Sequence, residues 1–486
     1  MNFYFFDLET SGFRARDDRI MQFAGQRTDM DLHPIGEPDN ILIKLTDDVL
    51  PQPDAILVTG ITPQATRAGG ITEAEFLKYF AENIATDNTI MVGFNNLRFD
   101  NEFIRFTLWR NFYDAYEWSW KNGCSTWDML DVVRMTRALR PDGIKWPFAP
   151  DGKPSNRLEF LSSVNKLEHA NAHDALSDVN ATIDVARLIK QKQPKLFDYL
   201  LKHRGKKMVE PLVTSGQPLV YTSGRYPSDW EKTTVAVMIA AHPDKSAALM
   251  YDLRIDPEEF ADLPPAELAE RWTARGEDVP YFPVKILSYN KCPAIAPLSV
   301  LDDKSTQRLK LRKEIIENHL GKLKKLEDFG DKLVEAVKIM GQKYEQQSLE
   351  VEAEAKDRMA ANLRVDAALY DGFINDADKN KMRVVRAADA EGLADLDLDF
   401  ADDRLKHLLP LYKARNYPKS LNEDEVNWWE EFKSRRLMDG GEASRAAAYF
   451  KRLAEIDAQP GLSAEHKYLL EELQLYGESV LPEPLA

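Results

Sequence analysis

The sequence predicts three parts in a row: an α/β domain, a small β-rich domain and a helical domain. In residues 1–200, short apolar runs such as 3–8 and 89–94 alternate with stretches of helical periodicity, the pattern of central strands covered on both faces. From about residue 203, short β-prone runs are separated by Gly and Pro turns, which favours a small barrel or sandwich. The last part is charged and helical in pattern.

The individual elements follow from local spacing. A third strand of the first domain is predicted at 41–44. The helix predicted at 175–191 carries apolar residues at intervals of three and four from Leu176 to Ala186, so one stripe faces a core. Further helices are predicted at 73–83, 101–109, 127–139 and 159–165, and strands of the second domain at 218–222, 235–241, 247–253 and 284–289.

Length and composition indicate a soluble protein of several domains. A chain of 486 residues suggests about three domains. No apolar run approaches the roughly 18 residues that cross a bilayer, and the N-terminus lacks a basic leader, so we expect no membrane segment, no signal peptide and a cytoplasmic location. Cys124 and Cys292 are far apart, which argues against a disulfide framework or a thiolate metal site.

The net charge of −16 does not exclude a nucleic-acid enzyme, because binding depends on where basic groups lie. Basic residues concentrate at 190–207 and 304–325. These stripes could hold DNA on an otherwise acidic body. Solvated helix faces are the commoner explanation of such runs, and both interpretations stay open.

Asp7 and Glu9 are the first residues that indicate chemistry. Side chains alternate along a strand, so these two acids share a face at the end of an apolar strand. Paired carboxylates near a core repel each other, and a divalent cation such as Mg²⁺ compensates the repulsion. A solvated strand end is the alternative.

Two later stretches contribute candidates of the same kind. Asp100 follows a predicted strand and precedes a helix, where ligands collect in α/β sheets; a helix N-cap is its alternative role. His173 lies at the start of the helix that carries Asp178 on its inner side, and Asp174 is the natural N-cap.

Together, four acids and one imidazole form a set suited to hydrolysis at phosphorus. Asp7, Glu9, Asp100 and Asp178 can hold two divalent ions about 3.5 to 4 Å apart, which activate water and stabilise the developing charge. His173 can accept the proton from that water. The sequence therefore predicts metal-assisted phosphodiester hydrolysis.

These motifs resemble the DEDD exonucleases. Phe-Asp-Leu-Glu-Thr-Ser-Gly at 6–12 is similar to their first motif, the region of Asp100 to the second, and 173–178 to the third. Because His173 stands five residues before Asp178, the resemblance is to the subclass with His, not Tyr, as general base.

Within that superfamily the chain is similar to the bacterial exonuclease I family. The similar segments are 51–53, 58–64, 93–100, 110–114, 138–141, 193–200, 290–293, 369–373 and 414–418. The resemblance implies an RNase H-like exonuclease domain (1–200), an SH3-like barrel with a helical extension (203–352) and an all-α C-terminal domain (355–486). It also implies processive 3′-to-5′ hydrolysis of single-stranded DNA to nucleoside 5′-monophosphates, in DNA repair and recombination.

The resemblance further implies a cofactor, partners and contacts. The cofactor is a pair of Mg²⁺ ions, for which Mn²⁺ can substitute. The protein is implied to be a monomer that does not bind a membrane. The partners are single-stranded DNA and the acidic C-terminal tail of single-stranded DNA-binding protein, with Arg140 and Tyr199 in the tail-docking surface. Glu9 and Arg157 are implied as substrate contacts, although Asn156 with Glu159 also resembles a helix capping box.

The chain departs from the family in three places. Ser11 stands where an aromatic residue is common, the helical stretch 314–360 is extended, and the far C-terminal helices match only loosely. Aromatic residues cluster between 109 and 127; most are expected in the core, whereas Trp120 is expected to stack on DNA bases.

Two rival functions stay open at this point. An RNA-trimming exonuclease would use the same acids, because a preference for the 2′-hydroxyl is not legible in the sequence. A non-catalytic clamp for single strands is the other alternative, although a pure binder has no need of paired acids.

Overall fold

The chain folds into two compact units in a computed structural model that describes residues 1–167, 174–276, 278–353, 358–394, 396 and 398–482. The first unit comprises Met1–Ser125, Ala170–Asn180 and Ala355–Ala486. The second comprises Thr126–His169 and Ala181–Glu354. The first unit therefore joins the start of the chain to its end.

The N-terminal segment mixes strands and helices, as predicted. Its elements are β1 (Asn2–Thr10), β2 (Ile20–Thr28), β3 (Asp39–Leu42), α1 (Pro53–Thr59), α2 (Pro63–Gly69), α3 (Glu73–Tyr79), β4 (Thr89–Gly93), α4 (Asp100–Arg110), β5 (Ser125–Asp128), α5 (Met129–Leu139), α6 (Leu158–Asn165), α7 (Ala175–Lys192) and α8 (Pro194–Lys202). The helix predicted at 127–139 is wrong at its start. Asp128 ends β5 and caps α5 by accepting a hydrogen bond from the Leu130 N–H (2.9 Å).

Strand β1 lies inside the sheet of the first unit. It pairs with β2 antiparallel and with β4 parallel, and β3 pairs with β2. Tyr4, Phe6 and Leu8 of β1 pack into an aromatic core with Phe23 of β2 and Phe76 of α3. Since side chains alternate, Asp7 and Glu9 project from the opposite face.

The second unit contains an antiparallel sheet, as the β-prone runs predict. Its strands occur in the order β10 (Ala294–Pro297), β6 (Leu219–Thr222), β7 (Thr233–Ala241), β8 (Ala247–Asp252) and β9 (Val284–Ser288). Its core includes Tyr221, Met250 and Leu287. The strand β10 was not predicted, because the run Ala-Ile-Ala-Pro is too short to show a pattern. The elements are α9 (Lys206–Thr214), β6 (Leu219–Thr222), β7 (Thr233–Ala241), β8 (Ala247–Asp252), α10 (Glu258–Ala261), α11 (Pro265–Thr273), β9 (Val284–Ser288), β10 (Ala294–Pro297), α12 (Asp303–Arg308), α13 (Lys313–Leu323) and α14 (Phe329–Ala353).

The C-terminal segment is helical, as predicted, and shares a core with α4. Phe106 and Trp109 of α4 are buried among Leu408 and Phe432 of the C-terminal helices, and the Trp109 indole N–H donates to the Val365 carbonyl (2.9 Å). No helix among the described residues has the length and apolar character to span a membrane. The helices are α15 (Arg358–Val365), α16 (Asp376–Ala387), α17 (Ala390–Ala394), α18 (Asp403–Asn416), α19 (Glu423–Met438), α20 (Arg445–Asp457) and α21 (Ala464–Val480).

Candidate active site

Three of the four predicted acids meet at one point. A carboxylate oxygen of Asp7, one of Glu9 and one of Asp178 all lie within 4.8 Å of one another. Asp7 and Glu9 come from β1, where they pair in register with Ala24 and Gln22 of β2. Two stretches far apart in sequence therefore build one cluster of acids.

Helix α7 is positioned so that Asp178 reaches this cluster from its first turn. Asp174 is the N-cap, as predicted: its carboxylate accepts a hydrogen bond from the Ser177 N–H (3.1 Å), and its carbonyl accepts one from the Asp178 N–H (3.0 Å). The cap fixes the start of the helix, and with it the direction in which Asp178 leaves the helix.

Asp100 also belongs to this environment. It is the first residue of α4 and is only 4% exposed, and its charge raises the pKa of both Asp7 and Glu9. Phe99, not Asp100, occupies the N-cap position of α4, and no side chain caps that helix. The alternative role of Asp100 as an N-cap is therefore wrong.

The acids of the cluster lie close enough to shift one another's pKa values. Burial, followed by the charges of Asp100, Glu9 and Asp178, raises the pKa of Asp7 well above its ordinary value. Burial, followed by Asp178 and Asp100, raises the pKa of Glu9 to about 8. Both effects favour the protonated forms of Asp7 and Glu9, and a cation bound among the carboxylates would favour their ionised forms.

Sequence reasoning missed one contribution to this cluster. Asp174, interpreted only as a helix cap, also raises the pKa of Asp7 and of Glu9 through its charge. The signal was its position four residues before Asp178, a spacing that places two side chains on the same helix face. His173, the predicted general base, lies outside the described residues.

Of the three predicted substrate contacts, Arg157 and Trp120 are exposed, whereas Glu9 is buried. The Arg157 side chain is 72% exposed and lies 3.8 Å from Glu159, while Trp120 is 63% exposed. Arg157 itself occupies the N-cap position of α6 without a side-chain cap, so the capping box suggested for Asn156 and Glu159 is wrong. Most other rings of this aromatic cluster, such as Trp109, are buried as predicted, whereas Tyr113 and Tyr116 are half-buried.

The two predicted partner contacts lie in the second unit. The Arg140 guanidinium, one-third exposed, donates to the Val300 carbonyl (2.7 Å) and lies 3.5 Å from Asp302. The Tyr199 ring stacks on His203 with centroids 4.0 Å apart. Its hydroxyl is buried and has no hydrogen-bond partner among the described residues, and burial raises its pKa to about 12.

Comparison with known proteins gives matches along the whole chain. The family described as "Exonuclease" matches residues 4–186, "Exonuclease I SH3-like domain" 204–338 and "Exonuclease I C-terminal domain" 363–480. The predicted fold class is thereby confirmed. Exodeoxyribonuclease I of Haemophilus influenzae is 38% identical over 488 residues, which cover 99% of each chain.

Solved structures show the same similarity in three dimensions. The crystal structure of Escherichia coli exonuclease I in complex with a dA16 oligonucleotide matches with a TM-score of 0.89 and 38% identity, over 99% of both chains. A crystal structure of SSB/exonuclease I in complex with the inhibitor CFAM matches with a TM-score of 0.87 and 37% identity, also over 99% of both chains.

Proposed function

Since this chain belongs to the exonuclease I family and is an exodeoxyribonuclease, we propose that it degrades single-stranded DNA processively from the 3′ end. The products would be nucleoside 5′-monophosphates, and the enzyme would serve DNA repair and recombination as a cytoplasmic monomer. The observation that carries the proposal is the meeting of Asp7, Glu9 and Asp178 within 4.8 Å. The dA16 complex of the E. coli relative supports the choice of substrate.

The acid cluster fits a pair of hard divalent cations. All of its donors are carboxylates, which Mg²⁺ prefers, and burial together with neighbouring negative charge raises the pKa of Asp7 and of Glu9, a situation that a bound cation would relieve. We propose that Asp7, Glu9, Asp100 and Asp178 hold two Mg²⁺ ions, with Mn²⁺ as a substitute. When bound, such a pair activates the attacking water and stabilises charge on the oxygens around phosphorus.

The remaining roles belong to side chains of this chain. His173 would accept the proton of the attacking water, since an imidazole titrates near neutral pH. Glu9 would also contact the terminal nucleotide. Arg157 would bind a phosphate of that nucleotide, and Trp120 would stack on a base, because both side chains are solvent-accessible in this structure.

We propose a second ligand at the surface that contains Arg140 and Tyr199. The acidic tail of single-stranded DNA-binding protein would place a carboxylate on the Arg140 guanidinium. The buried Tyr199 hydroxyl would gain the partner that it lacks among the described residues. The solved structure of SSB/exonuclease I supports this choice of partner.

A nuclease assay tests the proposal. DNA and RNA strands labelled at the 5′ end, single and duplex, are incubated with Mg²⁺ or EDTA, and the products are sized on a gel. We expect full-length single-stranded DNA to be converted to short 5′-labelled products with few intermediates, on single-stranded DNA only and only with Mg²⁺. Equal cleavage of RNA would favour the RNA-trimming alternative, and binding without cleavage the clamp.

A pair of variants on one helix tests the metal site. Asp178→Asn should abolish cleavage, while binding of single-stranded DNA in Ca²⁺ persists. Asp184→Asn is the matched control, because Asp184 lies on the same helix and pairs with Arg187 (2.8 Å) outside the acid cluster. Substantial cleavage by Asp178→Asn in Mg²⁺ would contradict the assignment.

A further inference from the structure

Arg19 lies at the end of the loop that follows the acids of β1. The Ser11 N–H donates to the Arg19 carbonyl (2.9 Å), and the Arg19 N–H donates to the Ser11 hydroxyl (2.9 Å). Strand pairing shifts between Glu9 and Thr10, immediately before this closure. The Arg19 backbone therefore fixes the residue two positions beyond Glu9.

The Arg19 side chain ties this loop to the C-terminal segment. Its guanidinium is buried and donates to the carbonyls of Asp17 (3.0 Å) and Asp18 (3.3 Å) within the loop. It also donates to the Asp366 carboxylate (2.8 Å), which follows α15. One side chain thus joins the loop beside Glu9 to a residue of the C-terminal segment.

Asp366 is itself held in a buried network of charges. Arg415 donates to both of its oxygens (2.8 Å each), and Arg436 lies 3.3 Å away. Burial alone would raise the pKa of Asp366, but Arg415, Arg19 and Arg436 outweigh it and hold that pKa well below its ordinary value. The buried members of this ion cluster are Arg19, Asp48, Glu73, Arg110, Asp366, Arg415 and Arg436.

The composition of the ion cluster makes Asp366 hard to replace. Its seven members are four guanidinium groups and three carboxylates, so loss of Asp366 would leave four buried cations with two carboxylates between them. Arg19 would then have to move toward another acceptor. Its backbone, and with it the loop beside Glu9, would move as well.

We propose that Arg19, held by Asp366, is a positioning residue for Glu9, so that the C-terminal segment completes the geometry of the acid cluster. The inference rests on the proposed function, because it assumes that Glu9 is a metal ligand. Groups that orient metal ligands typically change metal affinity or activity by about 10- to 100-fold when they are altered. Arg19 acts through the loop and need not touch substrate.

Two conservative variants of the full chain test the proposal. Arg19→Lys keeps the charge but loses the fork of donors, and Asp366→Glu moves the carboxylate by one methylene. We expect kcat on single-stranded DNA in Mg²⁺ to fall about tenfold or more, with KM nearly unchanged. Mn²⁺ binding without DNA, followed by electron paramagnetic resonance, should weaken by a similar factor, whereas DNA binding in Ca²⁺ should stay the same.

A matched ion pair provides the control. Asp54 and Arg452 also join α1 to the C-terminal helices, through two hydrogen bonds (2.6 and 2.8 Å), but at an exposed position. Asp54→Asn should leave kcat and Mn²⁺ binding unchanged. Ser11→Ala removes only the hydroxyl acceptor of the Arg19 N–H. It should lower kcat and Mn²⁺ affinity, as Arg19→Lys does, and it replaces the other two variants in the test if they do not fold.

The outcomes separate positioning from stability and from the proposed function. Lower melting temperatures with normal kcat and normal Mn²⁺ affinity at 25 °C would overturn the positioning role. A wild-type protein that binds Mn²⁺ but does not cleave DNA would overturn the proposed function instead. In that case the Mn²⁺ affinities of the variants would still decide whether Arg19 orients the acids.

Discussion

Replacement of Glu9 by Gln should stabilise the metal-free protein while it abolishes hydrolysis. Burial and the neighbouring acids raise the pKa of Glu9 from 4.5 to about 8. The folded state therefore holds a proton that the unfolded state releases between these values. Stability is largest below about pH 4.5 and is lost as the pH rises toward 8.

The size of the effect at pH 7 follows from this window. About 2.5 pH units separate the ordinary pKa of Glu9 from pH 7, and each unit corresponds to about 1.36 kcal/mol. Glu9 therefore lowers the free energy of unfolding of the metal-free protein by about 3 kcal/mol at pH 7. Gln has the same shape and no charge, and it should recover most of that free energy. With an unfolding entropy of about 2.1 cal/mol/K per residue over 486 residues, the melting temperature in EDTA should rise by about 3 °C.

Thermal melts of wild type and Glu9→Gln, at pH 5, 7 and 8.5, in EDTA and in Mg²⁺, provide the measurement. The gain should shrink at pH 5, because there the unfolded protein also begins to bind the Glu9 proton, with an ordinary pKa of 4.5. Mg²⁺ should stabilise the wild type and affect Glu9→Gln less. Glu471→Gln, on the exposed face of α21, is the control and should not shift. An unchanged or lower melting temperature for Glu9→Gln in EDTA at pH 7 would refute the reasoning.

Three further predictions concern the remaining proposed residues. His173→Ala should slow turnover by about a hundredfold and flatten the pH–rate profile near neutrality, measured by single-turnover hydrolysis; an unchanged rate would remove its role as base. Arg140→Ala should weaken binding of an acidic tail peptide in a calorimetric titration but spare activity on naked DNA, whereas equal loss of both would place Arg140 in the DNA path. Trp120→Ala should weaken binding of single-stranded DNA in Ca²⁺ by about 1 to 3 kcal/mol, and Trp120→Phe by less; equal affinities would exclude stacking.

The parts of the site that local periodicity controls could be predicted from the sequence. Alternation along β1 placed Asp7 and Glu9 on one face, and helical spacing placed Asp178 on the inner side of α7. That these stretches converge was a hypothesis from chemistry and resemblance, since no local pattern encodes contact between distant segments.

Prediction from the sequence was wrong or silent in two situations. One is a role that depends on the residue at which a helix starts, and the other is a contact with a residue remote in sequence. The N-cap assigned to Asp100 and the capping box at Asn156 assumed helix starts one residue away from those observed. The Arg19–Asp366 ion pair joins residues from opposite ends of the chain, so neither spacing nor composition could indicate it.

The core shared by α4 and the C-terminal helices limits how this protein can be shortened. Phe106 and Trp109 are covered by side chains that enter the sequence some 250 residues later. A shortened gene product that ends before α15 would present these rings to water and invite aggregation. We therefore expect the N-terminal segment to fold poorly without the C-terminal helices, because these helices cover part of its core.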